Sequence, residues 1–177
     1  MTNNPLPKRR SVRKPGHNYA GPGTMFITIC TDEMRHIFGN VAEGTMILGP
    51  LGQIAHDEWL KTFQMRPDLI DLGFIVMPNH MHAMFVMAYD EHPDDYKPGP
   101  RNRYVKSLAS IVAGYKSVVT GRARRESENP DLVIWQRGFH DVIVETDQRY
   151  EAIAAYIPDN PRRWTEDRYN LNPVGAL

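Results

Sequence analysis

The sequence predicts an α+β domain in which helices cover an antiparallel sheet. Two observations support this class. Apolar, β-branched runs alternate with segments whose apolar residues recur every three or four positions. The segments follow the order strand, helix, strand, strand, helix, strand, which matches the split βαβ or ferredoxin-like arrangement with its helices on one face. A further helical segment near the carboxyl end is then an addition to this plan.

The amino-terminal half of the chain supplies the first strand and the first helix. Residues 25–31 form an apolar, β-branched run that is typical of a strand, and a short second strand is expected at 45–48. An amphipathic helix is predicted from residue 51 until Arg66-Pro67-Asp68 ends it. Its apolar stripe consists of Leu51, Ile54, Ala55, Trp59, Leu60 and Phe63.

A β-hairpin is predicted in the middle of the chain. Residues 74–77 and 80–87 are apolar, and Pro78-Asn79 between them is typical of a tight turn. Residues 89–100 are acidic and rich in proline, so we expect a loop there.

The remaining elements of the plan lie in the carboxyl-terminal half. A second helix is predicted over 104–122 and a strand over 139–145. A third helix is predicted from Gln148, capped by Asp147, and Pro158 is expected to kink or end it.

Length and composition are those of an ordinary globular domain. The chain has 177 residues, of which 41% are hydrophobic and 24% charged, and it shows no internal repeat. These values exclude collagen-like, coiled-coil and wholly disordered proteins. The one cysteine, Cys30, excludes an internal disulfide and is typical of a reducing cytosol. Since no apolar run approaches the length that spans a bilayer, we expect a cytoplasmic protein.

The net charge is zero overall but is divided into blocks. Residues 1–24 carry +5 and residues 101–125 carry +7 without any acid, whereas 25–100 carry −7 and 126–177 carry −5. Purely basic segments are typical of proteins that bind a polyanion such as nucleic acid. A solvated tail and a solvated helix face explain the charge equally well at this point.

The sharpest local pattern is His80-Met81-His82. On a strand, residues two apart point to the same face, so both imidazoles would project together while Met81 points the other way. Two converging imidazoles are the start of a metal site. Because such a triplet is common, the alternative is a pair of partly buried histidines with hydrogen-bond partners.

A second pattern lies on the third predicted helix. Tyr156 and Asn160 are four residues apart and would share one face of a continuous helix. A tyrosine hydroxyl can act as a covalent nucleophile, and an asparagine carbonyl is a suitable oxygen ligand beside two histidines. Taken alone, the segment favours a core tyrosine at a helix end with Asn160 as the C-terminal cap.

Together these patterns resemble a known family. Residues 75–82, with the sequence IVMPNHMH, resemble the signature of the HUH endonucleases, in which two histidines flank a hydrophobic residue. The wider pattern resembles the REP-associated tyrosine transposases, a branch of the single-tyrosine HUH transposases. The other segments that carry this resemblance are 9–13, 26–31, 51–54 with Trp59, 111–117, 135–139 and 156–161.

The resemblance implies a ferredoxin-like core with a divalent metal, Mg²⁺ or Mn²⁺, at the histidine pair. Matched residue by residue, His80, His82 and Asn160 would be the metal ligands, and Tyr156 would attack a phosphate of single-stranded DNA. The product would be a 5′-phosphotyrosine link and a free 3′-OH. A 3′-OH could later attack that link and rejoin DNA without ATP.

The same resemblance implies binding to DNA hairpins with a neighbouring single strand, at repeated extragenic palindromes of the nucleoid. The basic residues that would contact phosphates are Arg9, Arg10, Arg13, Lys116, Arg122, Arg124 and Arg125. We expect a single domain with a basic extended arm over 1–24, a catalytic core over 25–161 and a tail over 162–177. A monomer and a homodimer both stay open.

Pro158 is a departure from the family pattern, because it lies between Tyr156 and Asn160. A proline inside a helix removes a backbone donor and clashes with the preceding turn. Two other functions therefore stay open. One is a DNA-hairpin-binding protein of the same fold with a weakened catalytic site, and the other is a structural metal-binding domain.

Overall fold

A computed structural model of the chain describes residues 23–88 and 107–170. Arg9, Arg10 and Arg13 of the predicted arm and the loop predicted at 89–100 lie outside the described residues. The elements in chain order are β1 (Gly23–Cys30), β2 (Gly39–Ala42), β3 (Thr45–Leu48), α1 (Pro50–Met65), β4 (Leu69–Val76), β5 (His80–Met87), α2 (Leu108–Glu126), β6 (His140–Ile143) and α3 (Asp147–Asp159). Short 3₁₀ turns lie at Asp32–Met34 and Trp164–Glu166.

Four of the strands form one sheet in the order β4-β5-β1-β6, and β2 pairs with β3 in a separate hairpin. In the main sheet every neighbouring pair is antiparallel. The units β1-α1-β4 and β5-α2-β6 therefore interleave, since β5 lies between β1 and β4 and β1 lies between β5 and β6. The ferredoxin-like fold predicted from the sequence is confirmed.

The central strand β5 presents different chemistry to the two sides of the sheet. Its members in the main hydrophobic core are Met81, Ala83, Phe85 and Met87. Because successive side chains of a strand point to opposite faces, His80 and His82 project from the other side.

The three helices divide between the two sides of the sheet. Trp59 of α1 packs edge-on against Phe85, with ring centroids 5.8 Å apart, and against Tyr115 of α2 at 5.0 Å. Helices α1 and α2 thus cover the core side. Helix α3 packs against β4 and β5, and the ring of its Tyr156 lies 5.2 Å from that of His82, so α3 covers the other side.

Capping side chains set helix bounds that differ from the sequence prediction. Helix α2 begins after Ser107, whose side chain accepts a backbone N–H of the first turn, and it runs to Glu126 rather than over 104–122. Helix α3 is capped by Thr146, whose hydroxyl accepts the N–H three residues on, so Asp147 is its first residue and not its cap.

Helix α3 runs through Pro158 and ends one residue later, at Asp159. The end predicted near Pro158 is thus observed, but it does not displace Asn160, which keeps helical dihedral angles (φ −54°, ψ −43°). Tyr156 and Asn160 are therefore one turn apart on the same side of the helix.

Two strand segments carry weak sequence signals. Strand β2 has few apolar residues, and the tight turn that joins it to β3 consists of Glu43 and Gly44, both with positive φ (50° and 70°). Strand β4 begins at Leu69, before the predicted range 74–77. An irregularity between Asp71 and Gly73 breaks the alternation of its side chains, so the sequence pattern does not reveal the first part of the strand. None of the described helices combines the length and the apolar character that crossing a bilayer requires.

Two glycine substitutions test the packing of α1. A methyl group on Gly52 would lie 2.0 Å from the Phe38 carbonyl oxygen, so the Gly52→Ala variant should lose about 1–3 kcal/mol of unfolding free energy. Gly114 of α2 has nothing within 4 Å of that position, so Gly114→Ala should gain about 0.5–1 kcal/mol. Urea denaturation of both variants measures this, and equal stabilities would contradict the close approach of α1 to Phe38.

Candidate active site

The turn between β4 and β5 is held in place by hydrogen bonds from neighbouring segments. The Asn79 carbonyl accepts the backbone N–H of Thr31 at 2.8 Å and the Thr31 hydroxyl at 3.0 Å. The Pro78 carbonyl accepts the backbone N–H of Phe38 at 3.0 Å. These contacts come from the chain that leaves β1, so the turn is fixed relative to the sheet.

The Asn79 side chain fixes the protonation of His80. One side-chain atom of Asn79 contacts the carbonyl oxygens of Met34 at 3.1 Å and Tyr169 at 2.8 Å, and since carbonyls only accept, this atom is the NH₂ nitrogen. The Asn79 Oδ1 atom therefore accepts the Nδ1–H of His80, at 2.8 Å. With its proton on Nδ1, neutral His80 keeps its lone pair on Nε2.

His82 lies beside His80, and their Nε2 atoms are 3.1 Å apart. The His82 Nδ1 atom is 2.8 Å from the hydroxyl of Thr28, the residue opposite it on β1, and its ring stacks on Phe26. Burial lowers the pKa of His80 well below its ordinary value and that of His82 to about 3. Both imidazoles are therefore neutral at neutral pH and offer lone pairs.

Tyr156 reaches the histidine pair from α3. Its hydroxyl lies 3.1 Å from Nε2 of His82, and its ring contacts the edge of Phe26. Burial, with a contribution from the charge of Asp167, raises the pKa of Tyr156, so the hydroxyl keeps its proton at neutral pH. The tyrosine oxygen thus lies next to the imidazole nitrogen that would bind an ion.

Asn160 is completely buried one turn further along α3. Its amide lowers the pKa of the Tyr156 hydroxyl slightly and is therefore close to it. Neither its oxygen nor its nitrogen has a hydrogen bond of ordinary geometry. A buried amide without a partner costs about 1–3 kcal/mol, and such groups in native proteins call for a functional explanation.

Residues 164–170, which we call the C-terminal strap, lie over the histidine pair. The rings of Trp164 and Tyr169 have centroids 6.0 Å and 4.6 Å from that of His80. Asp167 of the strap forms a group with His80 and His82 in which the ligand atoms all lie within 4.8 Å of one another. Asp167 could not be predicted from the sequence, because a single acidic residue in a predicted tail carries no local signal.

The residues of this site fit a divalent cation. Two ligands at right angles around Mg²⁺, each about 2.1 Å from it, are about 3.0 Å apart, and the two Nε2 atoms are 3.1 Å apart. Imidazole nitrogen is a common ligand of transition metals, whereas carboxylate and amide oxygens suit Mg²⁺ and Mn²⁺. The group of His80, His82 and Asp167 offers both kinds of ligand and is consistent with a divalent metal ion.

Lys116, predicted to contact DNA phosphate, is engaged inside the protein. Its ammonium group donates to the carbonyl of Gln136 at 2.9 Å and to that of Gly138, and it lies 5.8 Å from the ring centre of Trp135. Burial lowers the pKa of Lys116 to about 8. Two of its three N–H donors hold the loop before β6 against α2, so a contact of Lys116 with DNA phosphate, which stays a prediction, would compete with these carbonyls.

The other basic residues of α2 also lie away from the histidine pair, since α2 covers the opposite side of the sheet. Arg122 pairs with Glu58 at 3.0 Å and Glu126 at 2.7 Å. Arg124 is exposed and donates to a backbone carbonyl, and Arg125 is exposed. Phosphate contacts of these three arginines stay predictions, and for Arg122 they would compete with three carboxylates, since Asp57 also lies 3.5 Å away.

Comparison with known proteins identifies a relative by sequence and a similar fold by structure. No family model matches the chain. An uncharacterized protein of Haemophilus influenzae is 30% identical over 167 residues, which cover 90% of this chain and 92% of the relative. A solved structure of a REP-associated tyrosine transposase bound to a REP hairpin aligns with a TM-score of 0.58 and 18% identity, covering 86% of this chain and 74% of that one. This likeness shows the fold.

The role assigned to Lys116 predicts a loss of stability when its donors are removed. The Lys116→Met variant keeps the apolar stem but leaves two carbonyls without a charged donor, so its unfolding free energy should fall by about 1.5–3 kcal/mol. The control is Arg125→Met at an exposed position, which should change stability by less than about 0.5 kcal/mol. Equal denaturation midpoints for the two variants would contradict the fastening role.

Proposed function

This chain belongs to the same family as the Haemophilus influenzae protein, and we propose that it is a metal-dependent single-stranded DNA endonuclease and strand-transferase of the HUH class. Its substrates would be hairpin-containing repeats, and the intermediate a 5′-phosphotyrosine. One observation carries this proposal: the Tyr156 hydroxyl is 3.1 Å from the His82 Nε2 atom, which is itself 3.1 Å from that of His80. The fold shared with a transposase supports it.

The proposed ligands are His80 and His82, with oxygen ligands from Asp167 and Asn160. A bound divalent ion would neutralise charge on the scissile phosphate and hold it in place. The chain orients its own ligands, because Asn79 holds the His80 proton on Nδ1 and the Thr28 hydroxyl holds the His82 ring. Such partners behind metal ligands fix the tautomer and the ring orientation.

The proposed reaction exchanges one phosphodiester for another. The Tyr156 oxygen forms a bond to phosphorus, the bond from phosphorus to the 3′ oxygen breaks, and the DNA ends as a 5′-phosphotyrosine and a free 3′-OH. The phenol loses one proton and the leaving 3′ oxygen gains one, so the net charge does not change. One phosphodiester replaces another, so no external energy source is required. Attack by a 3′-OH on the phosphotyrosine reverses these bond changes and joins strands.

Packing supports the tyrosine as nucleophile, whereas burial opposes the ionisation of its hydroxyl. The pKa of Tyr156 is raised by burial, so the hydroxyl is protonated at neutral pH and a bound cation would have to favour the loss of that proton. The rings of Phe26 and His82 contact it from the sheet, which restricts the positions that its oxygen can occupy. Holding a nucleophile close to its target is a large part of catalysis in phosphoryl transfer.

Hairpin DNA is the proposed partner. Its phosphates would be bound by Arg9, Arg10 and Arg13 of the arm and by exposed arginines of α2 such as Arg125, in a salt-dependent manner. A hairpin-binding protein without nicking activity is the second candidate, and the raised pKa of Tyr156, which disfavours the phenolate, is the observation that favours it. Covalent adduct formation separates the two candidates.

A first test removes the hydroxyl of the proposed nucleophile. The Tyr156→Phe variant should fold, because the substitution removes only the hydroxyl group. It should form no covalent adduct with a labelled hairpin oligonucleotide in the presence of Mn²⁺. Tyr150→Phe on the same helix is the matched control and should form the adduct at the parental rate. Denaturing gel electrophoresis detects the adduct, and its formation by the Tyr156→Phe variant would overturn the assignment.

A second test asks which oxygen ligands bind the ion. Asp167→Asn and Asn160→Ala should each weaken Mn²⁺ binding by about tenfold or more. The control is Glu166→Gln, the exposed neighbour of Asp167, which should leave the affinity within about twofold. Calorimetric titration without DNA gives these constants. If both site variants bound Mn²⁺ with the parental affinity, neither Asp167 nor Asn160 would be a ligand of the ion.

A further inference from the structure

Arg168 of the C-terminal strap lies over the ring of Tyr169. Its guanidinium carbon is 4.7 Å from the ring centre of Tyr169, and its Nη2 donates to the Tyr169 hydroxyl at 2.8 Å. The Tyr169 ring in turn packs on His80, with centroids 4.6 Å apart, and lies 5.8 Å from His82. Tyr169 thus contacts both the guanidinium of Arg168 and the ring of His80.

The charge of Arg168 acts on the groups of the proposed site. Burial is the main cause of the lowered pKa of His80 and His82, and the charge of Arg168 adds to that effect. The same charge opposes the effect of burial on the pKa of Tyr156.

Arg168 is also available to a ligand. Its side chain is exposed, whereas the two imidazoles are buried. The guanidinium has five N–H donors in a planar fork, and the hydrogen bond to Tyr169 uses one of them. An arginine with this geometry is suited to bind two oxygens of one phosphate group.

We propose that Arg168 is a further catalytic residue, which binds a non-bridging oxygen of the scissile phosphate opposite the nucleophile and the histidine pair. This inference rests on the proposed function. When the Tyr156 oxygen approaches phosphorus, negative charge concentrates on the equatorial oxygens, and a fixed guanidinium stabilises that charge. Tyr169 is a positioning residue, because it holds the guanidinium without contacting the phosphate. Asp167, adjacent in the chain, has a carboxylate oxygen within 4.8 Å of a ring nitrogen of each histidine.

The experiment combines a charge change in the protein with one in the DNA. Adduct formation with hairpin oligonucleotides in Mn²⁺ is measured for the parent, Arg168→Ala, Arg168→Lys and Arg163→Ala, which removes an exposed arginine just before the strap. Arg168→Ala should slow adduct formation about 10²–10³-fold, and Arg168→Lys should restore only part of the rate, since it lacks the fork. Arg163→Ala should stay within about twofold of the parent.

A second substrate carries a methylphosphonate in place of the scissile phosphate and so lacks the charge that Arg168 would neutralise. On this substrate, the difference between the parent and Arg168→Ala should shrink below about tenfold. Mn²⁺ binding without DNA should not weaken in Arg168→Ala, because loss of a nearby positive charge favours a cation.

Three outcomes would overturn the proposal. A parental rate for Arg168→Ala would remove Arg168 from the reaction while leaving the proposed function intact. An equal loss on both substrates, or weaker Mn²⁺ binding, would show that Arg168 only holds the strap in place. Absence of any adduct from the parent protein would overturn the proposed function and this inference with it.

Discussion

The hydrogen bond between Asn79 and the His80 ring is the contact on which the site depends. The hydroxyl of Thr31, which follows β1, donates to the backbone carbonyl of Asn79. The side-chain nitrogen of Asn79 donates to the carbonyls of Met34 and Tyr169. It therefore joins the sheet, the turn and the C-terminal strap at one buried point. Because the amide nitrogen must face the two carbonyls, its oxygen must face His80, and the position of the lone pair on Nε2 follows from that orientation.

The elements that the sequence predicts well are those with a strong local period. The alternation of β5 places His80 and His82 on one side of the sheet, and the helical spacing of Tyr156 and Asn160 survives Pro158 because that residue lies near the helix end. Asp167 could not be found in this way. Its place depends on how the strap folds back over β5, which is a long-range contact without any sequence period.

Charge patterns were a weaker guide than periodicity, because a list of basic residues does not show their partners. Lys116 belongs to a run without acidic residues, yet it bonds to two backbone carbonyls of the loop that carries Trp135. Trp135 also packs against Phe38 and Tyr115. The segments around Lys116 and Trp135, which carry part of the family resemblance, therefore contribute to the fold on the side of the sheet away from the histidines.

The most direct measurement is to map the residue that becomes joined to DNA. The parent protein is incubated with a hairpin oligonucleotide that has single-stranded flanks, with Mn²⁺ or with a chelator, and is then digested and analysed by mass spectrometry. The geometry of Tyr156 beside His82 predicts a nucleotide on the peptide that contains Tyr156, and only when the ion is present. A nucleotide on Tyr150 or Tyr169, or an adduct formed equally well with the chelator, would contradict the account.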